Sequence, residues 1–179
     1  MQDEIDIIKD VSGRLDQAGI GYMLTGSMAM NFYTQPRMTR DIDLVVALMR
    51  GHIDKILSLF QPSYYVSRDA ISISIEHSSI FNLIHQETVI KVDCIIRKPE
   101  EYRQIEFSRR QRIQIRDFQT WIVSKEDLII SKLEWARDSR SELQFRDVRN
   151  LLGSGYDSTY LEMWVQKLGL SSLLKECQS

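Results

Sequence analysis

Apolar residues at the start of the chain recur at helical spacing. Ile5, Ile8, Val11 and Leu15 fall on one side of a 3.6-residue turn, and Gly19 follows where a left-handed cap is expected. A short strand is expected over 21–25, then a short helix over 27–33 that begins directly after Gly26. A loop holding Pro36 and two arginines comes next, then a strand over 41–48. Ile53, Ile56, Leu57 and Phe60 mark a further helix, while 69–76 fits a helix or a strand equally. Residues 80–85 and 89–96 read as paired strands, and two shorter strands follow near 111–115 and 119–123. At Ser124, with Glu126 and Asp127 in the first turn, the pattern turns helical, and helical stretches near 140–152, 158–168 and 171–176 run to the end. The fold class this predicts is α/β (α+β). A mixed central sheet flanked by helices occupies 1–120, and a helical C-terminal subdomain, 121–179, packs on it.

Composition narrows the function classes. The chain has 179 residues, 43% of them hydrophobic and 27% charged, which suits one globular domain with a substantial core. A net charge of -2 excludes nucleic-acid binding by bulk charge, so any such contact must rest on a local patch. The candidate patch is 97–116, with seven basic and three acidic residues and with Tyr102 and Phe107 interleaved; a solvated helix face is the commoner outcome for such a run. The two cysteines, Cys94 and Cys177, lack disulfide-framework or metal spacing. No apolar run approaches the ~18 residues of a membrane span, and the start is acidic. A cytoplasmic protein with no membrane partner is expected.

Three aspartates break the apolar pattern. In the run GSMAMNFYTQPRMTRDIDLVV, Asp41 and Asp43 share one strand face while Ile42 and Leu44 share the other. Two carboxylates pointing together repel unless a cation lies between them, and hard oxygen ligands suit Mg²⁺. Gly26 and Ser27, separated from that pair by the thirteen residues 28–40, stand at a strand-to-helix junction, where backbone N–H groups and a hydroxyl can seat a phosphate; a plain helix cap is the alternative. In VIKVDCII, Asp93 sits mid-strand among apolar residues. It reads as a third ligand facing the Asp41/Asp43 pair, or as half of an ion pair with Lys91 or an arginine. Arg37 and Arg40 lie in the loop leading to the carboxylates and are candidates for phosphate contact. His52, His77 and His85 show no ligand spacing.

The order of these motifs resembles the signature of the DNA polymerase β-like nucleotidyltransferase superfamily. The fuller pattern adds KVDCIIRK and SKEDLIISKLEWARDSRSELQFRDVRNLL, and over about residues 20–165 it is similar to the branch containing AbiEii-like toxins and uncharacterised prokaryotic nucleotidyltransferases. The first motif of that branch more often carries Gly-Gly than Gly-Ser. The resemblance implies that Asp41 and Asp43 bridge two Mg²⁺ ions, with Mn²⁺ a possible substitute, and that Asp93 completes the second site and takes the proton of an attacking hydroxyl. It implies that Gly26 and Ser27 grip the β- and γ-phosphates of an NTP. Lys132 matches the lysine of the third motif and reaches the triphosphate, and Asp147 matches the acidic residue of the fourth, orienting Lys132 or forming an ordinary helix salt bridge. Implied partners are an NTP, an acceptor such as a tRNA 3′ end and a cognate antitoxin. A small hydroxylated acceptor of the aminoglycoside kind and a catalytically silent nucleotide-binding module are the alternatives.

Overall fold

A computed structural model describes residues 3–178. The chain opens with α1 (Glu4–Gln17), started by a capping box in which Asp3 accepts from the Asp6 amide at 3.0 Å and Asp6 from the Asp3 amide at 2.9 Å. Next come β1 (Tyr22–Thr25), α2 (Gly26–Met30), β2 (Ile42–Val46), α3 (Ile53–Phe60), β3 (Tyr64–Tyr65), α4 (Arg68–His77), β4 (Ile80–His85) and β5 (Lys91–Ile96). The second half contains α5 (Glu101–Ser108), β6 (Gln111–Ile115), β7 (Phe118–Ile122), α6 (Lys125–Ser139), α7 (Glu142–Leu152), α8 (Ser158–Lys167) and α9 (Ser171–Gln178). No helix among the described residues is long and apolar enough to cross a membrane.

The strands form one mixed sheet in the order β3-β4-β5-β2-β1-β7-β6. The pairs β2–β5 and β1–β7 are parallel and the others antiparallel, so the architecture is α/β with a mixed sheet flanked by helices. Strand alternation decides which residues reach the core. Ile42, Leu44 and Val46 of β2 and Val92, Cys94 and Ile96 of β5 are buried, while Asp43 and Asp93 stand on the opposite, half-buried face. Helix α6 begins at Ser124, whose Oγ accepts from the Asp127 amide at 3.2 Å, and it packs against α2, α7, α8 and α9.

The ambiguous stretch at 69–76 is helical. Ser67 caps it by accepting from the Ala70 amide at 3.3 Å, and Ile71 is buried while Ile73 faces solvent. Strand β2 is shorter at both ends than the pattern predicts, since Asp41 lies one residue before the ladder begins and Ala47 and Leu48 lie beyond its end. Two elements had no bounded expectation: the two-residue β3, too short for periodicity to register, and α5, hidden in the basic stretch.

Candidate active site

Strand register assembles the acidic half of the site. Thr25 pairs with Asp43 across β1–β2, Asp43 with Asp93 across β2–β5, and Asp93 with Asn82 across β5–β4. Residues in register share a face, so the two aspartates stand side by side. Gly26 follows Thr25 with φ +65°, and a Cβ built there would lie 2.0 Å from Asp43 Oδ2. Glycine therefore serves twice here: it takes the left-handed conformation and leaves room for the carboxylate.

Charge crowds this face. Burial raises the Asp43 carboxyl to about 6, and the negative charges of Asp93 and Asp41 push in the same direction, against a partial offset from Lys132 and Lys91. Asp93 accepts from Asn82 Nδ2, and Lys91 Nζ lies 3.0 Å from it. The ion pair with Lys91, one of the two expectations for Asp93, is therefore present, and Asp93 also stands in register with Asp43. Asp41 is exposed at the strand entrance. Among the described residues no three His, Cys, Asp or Glu side chains are grouped so as to hold a metal ion. Asp43 and Asp93, in register and repelling each other, nevertheless offer the hard carboxylate oxygens that suit Mg²⁺, which is usually bound through one or two carboxylates.

The cationic half comes from the C-terminal helices and one loop. Lys132 on α6 is 5% exposed and donates to Asp147 Oδ2 of α7 at 2.7 Å and to Gln144 Oε1 at 3.3 Å. Asp147 is fully buried. Its Oδ2 also accepts from Arg37 Nη2 at 3.1 Å, and the same Nη2 donates to Ser27 Oγ at 2.6 Å. Lys132 is thus held inside the protein, and Asp147 turns inward to it and to Arg37. Ser27 is not the helix cap; that position belongs to Thr25, and α2 is only five residues long. Any phosphate seat must accordingly rest on side-chain donors more than on a helix terminus. Arg40 is exposed and has no partner among the described residues.

Sequence reasoning missed the reach of Arg37 to Asp147 and the part of Gln144, neither of which has a local periodic signal. It also missed Asp127, which appeared only as a first-turn acid. Asp127 is fully buried and accepts from Ser124 Oγ at 2.6 Å, Tyr160 Oη at 2.7 Å, Tyr102 Oη at 3.0 Å and Arg109 Nε at 3.2 Å. The basic stretch is largely engaged. Arg103 bridges Glu106 and Glu134, Arg109 bridges Glu126 and Asp127, Arg116 pairs with Asp3 and Asp6, and Arg97 and Arg110 stack on Phe107.

The chain matches no protein-family model and no curated protein sequence. Solved structures do resemble it. An antigenic nucleotidyltransferase-like protein from Paracoccidioides brasiliensis aligns over 97% of this chain and 92% of its own, at 19% identity and a TM-score of 0.62. ANT(2'')-Ia in complex with adenylyl-2''-tobramycin aligns over 98% of this chain and 99% of its own, at 14% identity and a TM-score of 0.59. The lincosamide antibiotic adenylyltransferase LnuA, lincomycin-bound, aligns over 83% of this chain and 94% of its own, at 17% identity and a TM-score of 0.53. At these identities the shared property is the fold, which is that of nucleotidyltransferases.

Proposed function

We propose that the protein is a nucleotidyltransferase that moves a nucleoside monophosphate from an NTP to an acceptor hydroxyl and releases pyrophosphate. The observation that carries the reading is the register of Asp43 and Asp93 beside Gly26 and Ser27, on a fold shared with nucleotidyltransferases. Asp43 and Asp93 would hold Mg²⁺, with Asp41 at the strand entrance a further candidate ligand, and the ion would neutralise phosphate charge and lower the pKa of a bound hydroxyl. Ser27 and Lys132 hold the phosphate chain, and Asp147 keeps Lys132 in place. Asp93, oriented by Asn82, takes the proton from the acceptor hydroxyl as its oxygen attacks the α-phosphorus and the bond to the pyrophosphate oxygen breaks. The contribution of the chain is positioning and charge, so no nucleophilic side chain is required.

The acceptor we favour is a small hydroxylated molecule. Most arginines of 97–116 are occupied by carboxylates or aromatic rings and are not free to track an RNA backbone, and of the similar structures one is a lincosamide antibiotic adenylyltransferase by name and another is in complex with adenylyl-2''-tobramycin. The test is transfer of label from NTPs radiolabelled at the α-phosphate, with Mg²⁺ or Mn²⁺, onto a panel of aminoglycosides and lincosamides and, in parallel, onto total RNA, with Asp43→Asn as the control. Labelled small molecules that vanish with Asp43→Asn support the reading. Label on tRNA 3′ ends would establish an RNA acceptor in place of a small molecule and call for a test of growth inhibition and a search for an antitoxin, and absence of transfer to either acceptor class would contradict this assignment.

A further inference from the structure

Arg37 is held firmly, yet its hydrogen bonds are not all made. Residues 31–41 carry the chain from α2 to β2, and Asn31 grips this loop at Arg37 from both sides. Asn31 Nδ2 donates to the Arg37 carbonyl at 3.0 Å, and the Arg37 amide donates to Asn31 Oδ1 at 3.0 Å. From that fixed backbone the guanidinium reaches Ser27 and Asp147. Asp147 Oδ2 already takes Lys132, so one carboxylate faces two cations and the cluster keeps a positive charge in excess. Within this cluster two buried atoms lack a partner among the described residues, the donor Arg37 Nε and the acceptor Asp147 Oδ1. A buried guanidinium N–H without an acceptor, beside a serine hydroxyl and a second cation, is a donor left over for an oxygen that the protein itself does not supply to it.

We infer that Arg37 is the specificity-determining residue for the triphosphate, its guanidinium gripping the phosphates beyond the α-phosphate so that the site selects an NTP over an NMP. The inference rests on the nucleotidyl-transfer reading and deepens it. A planar fork of donors matches phosphate oxygens two at a time, and a surplus cation favours the more highly charged ligand. The contact to Asp147 is a resting one. When Nη2 turns to a phosphate, Asp147 keeps Lys132, and its unpartnered oxygen leaves that pair room to readjust.

The experiment compares calorimetric affinities for the best-bound NTP and its NMP, both with Mg²⁺, in wild type, Arg37→Gln, Arg37→Lys and Asn31→Ala. Loss of a charge-assisted bond of this kind lowers affinity about 10–100-fold. Arg37→Gln should therefore weaken the NTP by that factor and leave the NMP within about twofold. Arg37→Lys should fall between, because it keeps the charge and loses the fork. Asn31→Ala, which frees the loop without altering charge, should also narrow the NTP-to-NMP ratio, and it carries the test with Arg37→Lys if Arg37→Gln does not fold. Equal weakening of both ligands would reduce Arg37 to a structural role and overturn the inference, as would unchanged NTP affinity. A wild-type protein that binds no nucleotide would overturn the nucleotidyl-transfer reading and this inference with it; nucleotide binding that is indifferent to Arg37 would overturn this inference alone.

Discussion

The carboxylate of Asp43 occupies the space that a side chain on Gly26 would fill, with Oδ2 only 2.0 Å from the position of that missing Cβ. Backbone and acid are thus fitted to each other across β1 and β2, and the motif that opens the site works as one unit.

Gly26→Ala tests that fit. The new methyl meets Asp43 Oδ2, and φ +65° strains any residue with a Cβ, so we expect a loss of about 1–3 kcal/mol in thermal or denaturant unfolding. Because Asp43 must move, turnover should fall on the order of 100-fold or more. A variant as active and as stable as wild type would show that the close approach is unimportant.

Asp43→Asn should stabilise the protein in chelator while abolishing activity. In the folded state the Asp43 carboxyl is raised from 3.8 to about 6, chiefly by burial and then by Asp93 and Asp41. Raised folded-state pKa means that ionisation is harder in the fold than in the unfolded chain. Wild type therefore loses stability as pH climbs from about 3.8 to about 6, and the asparagine variant lacks that loss. The difference should be near zero below the lower value, complete above the upper one, and about 1–2 kcal/mol after solvent screening. Melting curves across that window check it; a variant less stable than wild type at neutral pH would contradict the repulsion described here.

Lys132→Met should destabilise by about 2–3 kcal/mol, since fully buried Asp147 would be left with Arg37 alone. Removing the acid as well should restore part of the loss. A double-mutant cycle of Lys132→Met with Asp147→Leu is expected to show coupling above about 1 kcal/mol, and additivity would mean that the two residues do not depend on each other.

Much of this could be read from the chain. The alternation through DIDLVV and KVDCII placed Asp43 and Asp93 on a common type of face, and the helical and strand periods located most elements. Register was not legible: that Asp43 and Asp93 are partners depends on a parallel β2–β5 pairing between segments some fifty residues apart, which no local pattern encodes. The same holds for Arg37 and Asp147, joined only when a loop folds over α7. Asp41, expected on the strand, lies just before it because the ladder starts at Ile42. Asp127 looked like a helix-start acid, since its partners Tyr102, Arg109 and Tyr160 come from other elements.

The most direct measurement is acceptor-dependent release of pyrophosphate from NTP with Mg²⁺, followed in wild type, Asp43→Asn and Asp93→Asn. We predict release by wild type only when an acceptor hydroxyl is supplied, and its disappearance in both variants while they remain folded. Release at wild-type rates from either folded variant, or no release by wild type with any NTP and acceptor tested, would contradict the assignment of the in-register aspartates as the centre of a nucleotidyl-transfer site.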